Sequence, residues 1–134
     1  MRLLRIDHVQ VMVPRLREKE ARYFYGTVLG LQEIERPKTI PAAGMWFAFG
    51  EAHQLHIAFS DNPLRPPASD HYAVLVDDLD ALKRHLADHD VPYQPSPVQD
   101  DYERMFVQDP FGNRVEFMVP AAPGPRGVGD PLTP

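Results

Sequence analysis

Hydrophobic and polar residues alternate in the segment 5–13, where three valines are interleaved with His8, Gln10 and Met12. This period of two predicts a strand with one buried face. From residue 16 to residue 29 the apolar residues recur three and four positions apart and Gly30 follows, which predicts an amphipathic helix ended by a glycine. Three further strands are predicted at residues 31–36, 45–50 and 54–59.

The same order begins again at residue 71. Residues 71–76 alternate like a strand, and Asp77 or Asp78 can cap a helix that carries apolar residues at Leu79, Leu82 and Leu86. Further strands are predicted near residues 92–94, 103–108 and 113–119. The chain therefore contains the order βαβββ twice.

Prolines and glycines mark the boundaries of these segments. They predict a linker at residues 60–69 and a flexible Pro/Gly-rich tail at residues 120–134. We predict one domain over residues 1–119, made of a module at 3–59 and a module at 70–119. The predicted fold class is α+β, with two tandem βαβββ modules forming a curved mixed sheet around a cleft.

The repeat also relates residues that can carry chemistry. Asp7-His8-Val9 matches Asp70-His71-Tyr72, and the segment from Met45 to His56 matches the segment from Met105 to Glu116. His8 therefore corresponds to His71, and His56 corresponds to Glu116. The neighbours of all four are mostly apolar and would pack against the helices, so the four side chains are expected on the opposite, inner faces.

Four such groups on inner faces predict a metal site. Burying unpaired polar or charged groups costs a few kcal/mol each, and one divalent cation would satisfy all four at once. The chain has no cysteine, so the donors are imidazole and carboxylate, which suit one ion of Zn, Ni, Mn, Co or Fe. The predicted metal ligands are His8, His56, His71 and Glu116, which makes the predicted cleft a metal-binding one.

Simpler roles stay open for these residues. A lone strand histidine is more often a hydrogen-bonded core or cleft residue than a ligand, and Glu116 could serve only in a salt bridge with Arg104 or Arg114. His53 has the opposite parity to His56 and is excluded, whereas His85 and His89 lack a third ligand nearby and are expected to be solvated.

The composition and charge of the chain limit the kinds of partner that it can bind. With 134 residues, of which 43% are hydrophobic, the chain can bury a real core, and a net charge of -5 leaves no basic face for nucleic acid or acidic membranes. We expect a small-molecule substrate, no nucleic acid partner and no membrane partner. Residues 1–13 carry charges between their apolar positions, so neither a signal peptide nor a membrane span is predicted, and we expect a cytoplasmic protein.

Several motifs together resemble the vicinal oxygen chelate superfamily, which includes glyoxalase I, extradiol dioxygenases, fosfomycin-resistance enzymes and bleomycin-resistance proteins. The resemblance covers residues 3 to 119 and is carried by Asp7-His8-Val9, Phe24-Tyr25, Leu29-Gly30-Leu31, Val76-Asp77-Asp78-Leu79 and Asp109-Pro110-Phe111-Gly112-Asn113 before Glu116-Phe117. It implies the same four ligands. Glyoxalase I usually has a carboxylate where this chain has His56, and without His56 the set resembles the two-histidine, one-carboxylate triad of the extradiol and fosfomycin-resistance enzymes.

We therefore expect a metal-dependent glyoxalase-like enzyme of the lyase or isomerase type, acting on a small molecule with vicinal oxygens, with Glu116 moving a proton. An Fe(II) ring-cleaving dioxygenase and a non-catalytic drug-binding resistance protein are the alternatives.

Arg36 could reach an acidic group of the substrate from the edge of a loop. The resemblance also implies a homodimer. Substrate-lining residues are expected on the two central strands: Trp46, Arg104, Phe106 and Gln108, although core packing would explain the aromatic ones equally well.

Overall fold

The structure, a computed structural model, describes residues 1–2, 5–60, 70–99 and 101–121. These residues form two compact units, which we call the first module (up to residue 60) and the second module (from residue 70). Most of the predicted linker and nearly all of the predicted tail lie outside the described residues. No helix among the described residues is long and apolar enough to cross a membrane.

The first module is a four-stranded mixed sheet with one helical segment. Its strands are β1 (His8–Pro14), β2 (Gln32–Ile34), β3 (Gly44–Phe49) and β4 (His53–Ser60), in the spatial order β1-β4-β3-β2. β1 runs parallel to β4, and the other pairs are antiparallel. The helical segment between β1 and β2 makes the crossover connection that a parallel pair requires.

That helical segment is less regular than the predicted helix. It consists of a 3-10 turn (Arg15–Arg17), the short helix α1 (Glu18–Arg22) and a π-helical stretch (Tyr23–Val28). Phe24, Tyr25 and Val28 are all buried, so the wider turn keeps the apolar side chains directed to the core. Gly30 follows with φ of +69°, the left-handed conformation expected of the residue after a helix end.

The second module repeats the arrangement. It contains β5 (Tyr72–Leu75), α2 (Leu79–Asp88), β6 (Tyr93–Gln99), β7 (Tyr102–Gln108) and β8 (Arg114–Pro120), with the strand order β5-β8-β7-β6. Asp78 caps α2, because its Oδ1 accepts a hydrogen bond of 2.8 Å from the Ala81 N–H. The α+β fold class of two βαβββ modules is thus confirmed.

Each sheet buries one face. In the first module the buried strand residues alternate along the chain, and in the second module the matching positions are buried: Val11, Val13, Met45, Phe47, Leu55 and Ile57, then Met105, Val107, Val115 and Phe117. Since neighbouring residues in a strand point to opposite faces, the intervening residues lie on the other face of each sheet. All the predicted site residues on strands occupy these intervening positions.

Candidate functional site

Three aromatic rings stack across the non-core face of the first module. Trp46 and His56 are register partners on β3 and β4, and their rings lie 3.9 Å apart between centroids with an interplanar angle of 2°. The His8 ring lies 3.9 Å from the His56 ring at 17°. Two nearly parallel neighbours at this distance must cover opposite faces of His56, so the imidazole nitrogens are reachable only at its edge.

Both histidines of the stack are oriented by a second side chain. His8 Nδ1 donates to Asp7 Oδ2 at 2.9 Å, which leaves the Nε2 lone pair of His8 available. His56 Nε2 bonds to Gln54 Oε1 at 2.8 Å, which leaves Nδ1 of His56 available. Histidines that bind metals commonly make such a second hydrogen bond, which fixes the tautomer and the orientation of the ring. The donor chemistry of the first module therefore fits a divalent ion.

The local electrostatics keep His56 in its neutral form. Burial has the largest effect and lowers the pKa of His56, and the electrostatic interaction with His8 lowers it further; Asp7 raises the pKa, and Arg36 lowers it by the smallest amount. The hydrogen bond from His8 lowers the pKa of the Asp7 carboxyl. A neutral imidazole is the form that can donate its lone pair to a metal ion.

A cavity of about 530 Å³ opens beside this ring stack, wholly within the first module. Half of its lining is polar and half is apolar: Asp7, His8, Gln10, Arg36, Gln54 and His56, then Ile40, Ala42, Ala43, Trp46, Ile57 and Ala58. This volume falls in the range of small-molecule pockets, which combine apolar walls with a few oriented polar groups.

In the second module Glu116 holds two partners. Its side chain is 7% exposed, Arg104 Nη1 donates to its Oε1 at 2.8 Å, and His71 Nε2 lies 3.1 Å from its Oε2. The salt bridge to Arg104 that the sequence left open therefore forms. Two donor atoms that bind one ion at about 2.1 Å and at right angles lie about 3.0 Å apart, so the His71–Glu116 distance is also compatible with one coordination shell.

The expected substrate-lining residues differ in their surroundings. Trp46 lines the cavity of the first module. Phe106 is the register partner of Glu116, its ring meets the His71 ring edge-on at 5.2 Å, and the Arg114 guanidinium lies 3.9 Å from its centroid. Arg104 donates hydrogen bonds to the Glu116 carboxylate and to the Pro97 carbonyl. Gln108 is exposed at the end of β7.

The structure thus brings the predicted ligands together in pairs, His8 with His56 and His71 with Glu116. Within either module taken by itself, the described residues contain no group of three or more metal-type side chains close enough to hold an ion. The four-ligand set takes one pair from each module and stays a prediction. Sequence reasoning missed Gln54, although its position two residues before His56 on the same strand face could have revealed it.

A duplicated βαβββ fold with paired donors on the non-core faces defines a two-module α+β protein of the glyoxalase type. The chain belongs to the Glyoxalase/Bleomycin resistance protein/Dioxygenase superfamily, whose family model matches residues 5–117. The family resemblance seen in the sequence is thereby confirmed.

Individual relatives agree with this assignment. A Bacillus anthracis protein assigned to the glyoxalase family superposes with a TM-score of 0.82 at 36% identity, over 90% of this chain and 98% of its own. The Arabidopsis thaliana protein named Glyoxylase I 4 is 23% identical over 86% of this chain and 70% of its own length. An antibiotic binding protein from Streptomyces sp. CB03234 shares the fold, with a TM-score of 0.69 at 20% identity over 90% of this chain and 98% of its own.

Proposed function

We propose that this chain is a divalent-metal-dependent glyoxalase-like enzyme of the lyase or isomerase type that acts on a small molecule with vicinal oxygens. The proposed ligands are His8, His56, His71 and Glu116. When bound, the ion supplies Lewis-acid stabilisation of the negative charge that develops on the substrate oxygens. The observation that carries the proposal is that each module holds two metal-type donors in contact on its non-core face.

Glu116 is the proposed proton carrier. Arg104 anchors Oε1 of its carboxylate at 2.8 Å, so the carboxylate is fixed in place, and Oε2, which lies 3.1 Å from His71 Nε2, is the oxygen proposed to exchange a proton with a substrate. The Phe106 ring beside it supplies an apolar wall. A positioned base of this kind typically contributes 10²–10⁴-fold to the rate, so its loss should be easy to measure.

The proposal is tested by metal analysis of the purified protein and by screening 2-oxoaldehyde thiol adducts and catechols for turnover. Glu116→Gln keeps the shape of the side chain but removes the basic oxygen, and we expect turnover to fall at least about a hundredfold even at saturating metal. Glu103→Gln, an exposed glutamate on the neighbouring strand β7, is the matched control and should keep normal turnover. Normal turnover by Glu116→Gln at saturating metal would remove the proton-transfer role.

One observation favours a ring-cleaving Fe(II) dioxygenase as the second candidate. Both faces of the His56 ring are covered by the rings of His8 and Trp46, which suits a residue that supports the site rather than one that binds the ion. His8, His71 and Glu116 would then form the facial triad of such oxygenases. Dioxygen consumption with catechols in the presence of Fe(II), and no turnover of thiol adducts, would favour this candidate.

A non-catalytic binding protein is the third candidate. Arg104 already balances the charge of Glu116, and a structural neighbour is described as an antibiotic binding protein. A chain that binds no divalent metal and turns over no screened substrate would favour this candidate.

We also propose a homodimer, because apolar residues around the first strand are exposed: Ile6 at 72%, Met12 at 37% and Leu16 at 98%. Sedimentation at micromolar concentrations should give twice the mass of the chain, and a monomer would contradict it.

A further inference from the structure

Arg36 has an unsatisfied donor in the cavity of the first module. Its side chain is half-buried and lines the cavity, and Nη2 donates to the Ala42 carbonyl. Its Nε is buried and has no hydrogen-bond partner among the described residues. Because a buried charged donor without an acceptor is costly, a cavity-lining guanidinium of this kind favours a ligand that supplies the acceptor.

Gly44, next to the Arg36 guanidinium, allows β3 to approach the backbone of β4 closely. A Cβ on Gly44 would lie 2.4 Å from the Ile57 carbonyl oxygen and 3.7 Å from Cζ of Arg36. Only glycine therefore fits at the start of β3 beside β4.

The second module has a carboxylate at the position where the first module has an imidazole. In the repeat, Gly44 corresponds to Arg104 and His56 corresponds to Glu116. Arg104 meets the Glu116 carboxylate at 2.8 Å, whereas Arg36 lines the same cavity as His56, where the equivalent residue is an imidazole in place of a carboxylate. Both modules thus place a guanidinium near the same strand position, but only the second provides its counter-charge.

The remaining charges of the cavity indicate what kind of anion would bind. Apart from its histidines, the lining carries one cation, Arg36, and one carboxylate, Asp7, which is hydrogen-bonded to His8. A single guanidinium with one edge already used by Ala42 suits a singly charged carboxylate better than a dianionic phosphate. Ile40 and the Trp46 ring add an apolar wall for the rest of the molecule.

We propose that the cavity of the first module binds the carboxylate of a small, partly apolar monoacid through the Arg36 guanidinium. This assignment deepens the proposed function and rests on it in one respect, namely that the bound acid is the substrate. The binding itself requires no metal ion. Arg36 is then a specificity-determining residue that selects acids over neutral analogues of the same shape.

Trp46 provides the readout, because it is the single tryptophan of the chain and lines this cavity. Benzoate and its neutral analogue benzamide are titrated into chelator-treated protein while Trp46 emission is followed, with calorimetry as a second measure. We expect the wild type to bind benzoate at least about tenfold more tightly than benzamide, since a charge-assisted hydrogen bond is lost with the amide. Inorganic phosphate should bind more weakly than benzoate.

Arg36→Met should abolish the preference for benzoate, and Arg36→Lys should keep only part of it because the ammonium lacks the guanidinium geometry. Arg17→Met is the matched control, since Arg17 pairs with Glu20 on the helical segment and does not line the cavity. It should retain the full preference. If circular dichroism shows that Arg36→Met is unfolded, the benzoate preference of Arg36→Lys is used instead to test the role of Arg36.

The inference is overturned if benzoate and benzamide bind the wild type equally, if neither binds, if phosphate binds as tightly as benzoate, or if the Arg36 variants keep the full preference. The outcome is separable from that of the proposed function. A benzoate preference in a protein that binds no metal and turns over no substrate would overturn the proposed function alone, whereas metal-dependent turnover without a benzoate preference would overturn this inference alone.

Discussion

His56 and Glu116 occupy equivalent positions in the two modules, yet their surroundings differ. His56 is covered by two rings and has a lowered pKa, so it is held neutral. Glu116 meets the Arg104 guanidinium at 2.8 Å and the His71 imidazole at 3.1 Å. One imidazole and one carboxylate at matched positions are the mixed donors that a borderline divalent ion takes.

Strand alternation predicts which face of the sheet these residues share, but not which side chains they contact. The choice between Arg104 and Arg114 for Glu116 depends on long side chains with many rotamers, which sequence spacing does not constrain. In the structure Arg104 forms the salt bridge with Glu116, and the Arg114 guanidinium lies over the Phe106 ring.

The pairing of Arg104 with Glu116 should couple their contributions to stability. Glu116→Gln leaves a largely buried guanidinium without its counter-charge, and we expect it to lower the free energy of unfolding of the metal-free protein by about 3 kcal/mol. Arg104→Met should cost a similar amount. Urea denaturation of both single variants and the double variant should show that the double variant loses less than the sum, and additive losses would contradict a direct pair.

At the scale of elements, the strand order of each module follows from the period of the sequence, while the irregular parts do not. β6 is the clearest case, since its prediction ended at residue 94 but the strand continues through Pro95 and Pro97 to Gln99. It lies at the edge of the sheet, where a proline need not donate to a neighbour. The π-helical stretch in the first module likewise has no simple signal in the spacing of its apolar residues.

Gly44 should be indispensable to the pairing of β3 with β4. Gly44→Ala places a methyl group 2.4 Å from the Ile57 carbonyl oxygen, and we expect it to cost about 1–3 kcal/mol of unfolding free energy. Gly26→Ala is the control, because its new methyl group would meet Phe47 at an ordinary 3.6 Å in a helical segment that favours alanine. Thermal unfolding should therefore give effects of opposite sign, and equal effects would contradict the close-approach argument.

At the scale of the whole molecule, most of the fold prediction depended on the internal repeat. Once the first βαβββ module was assigned, the recurrence of its residues in the second half predicted the second strand order, and both sheets and the family assignment agree. The ligand set is harder to predict, because the repeat indicates equivalent positions but not the coordination that four side chains adopt around one ion. Its test is therefore a measurement of metal binding.

The most direct test is the metal stoichiometry and affinity of the purified chain and of its histidine variants, with the ion measured by elemental analysis and calorimetry. We expect one divalent ion per chain, with affinity reduced in His8→Ala, His56→Ala and His71→Ala because each variant removes one donor from the same ion. His85→Ala, on α2 outside the proposed set, should bind like the wild type. A loss confined to about 10-fold to 100-fold in His56→Ala would make His56 a supporting residue, and wild-type affinity in all three variants would contradict the account.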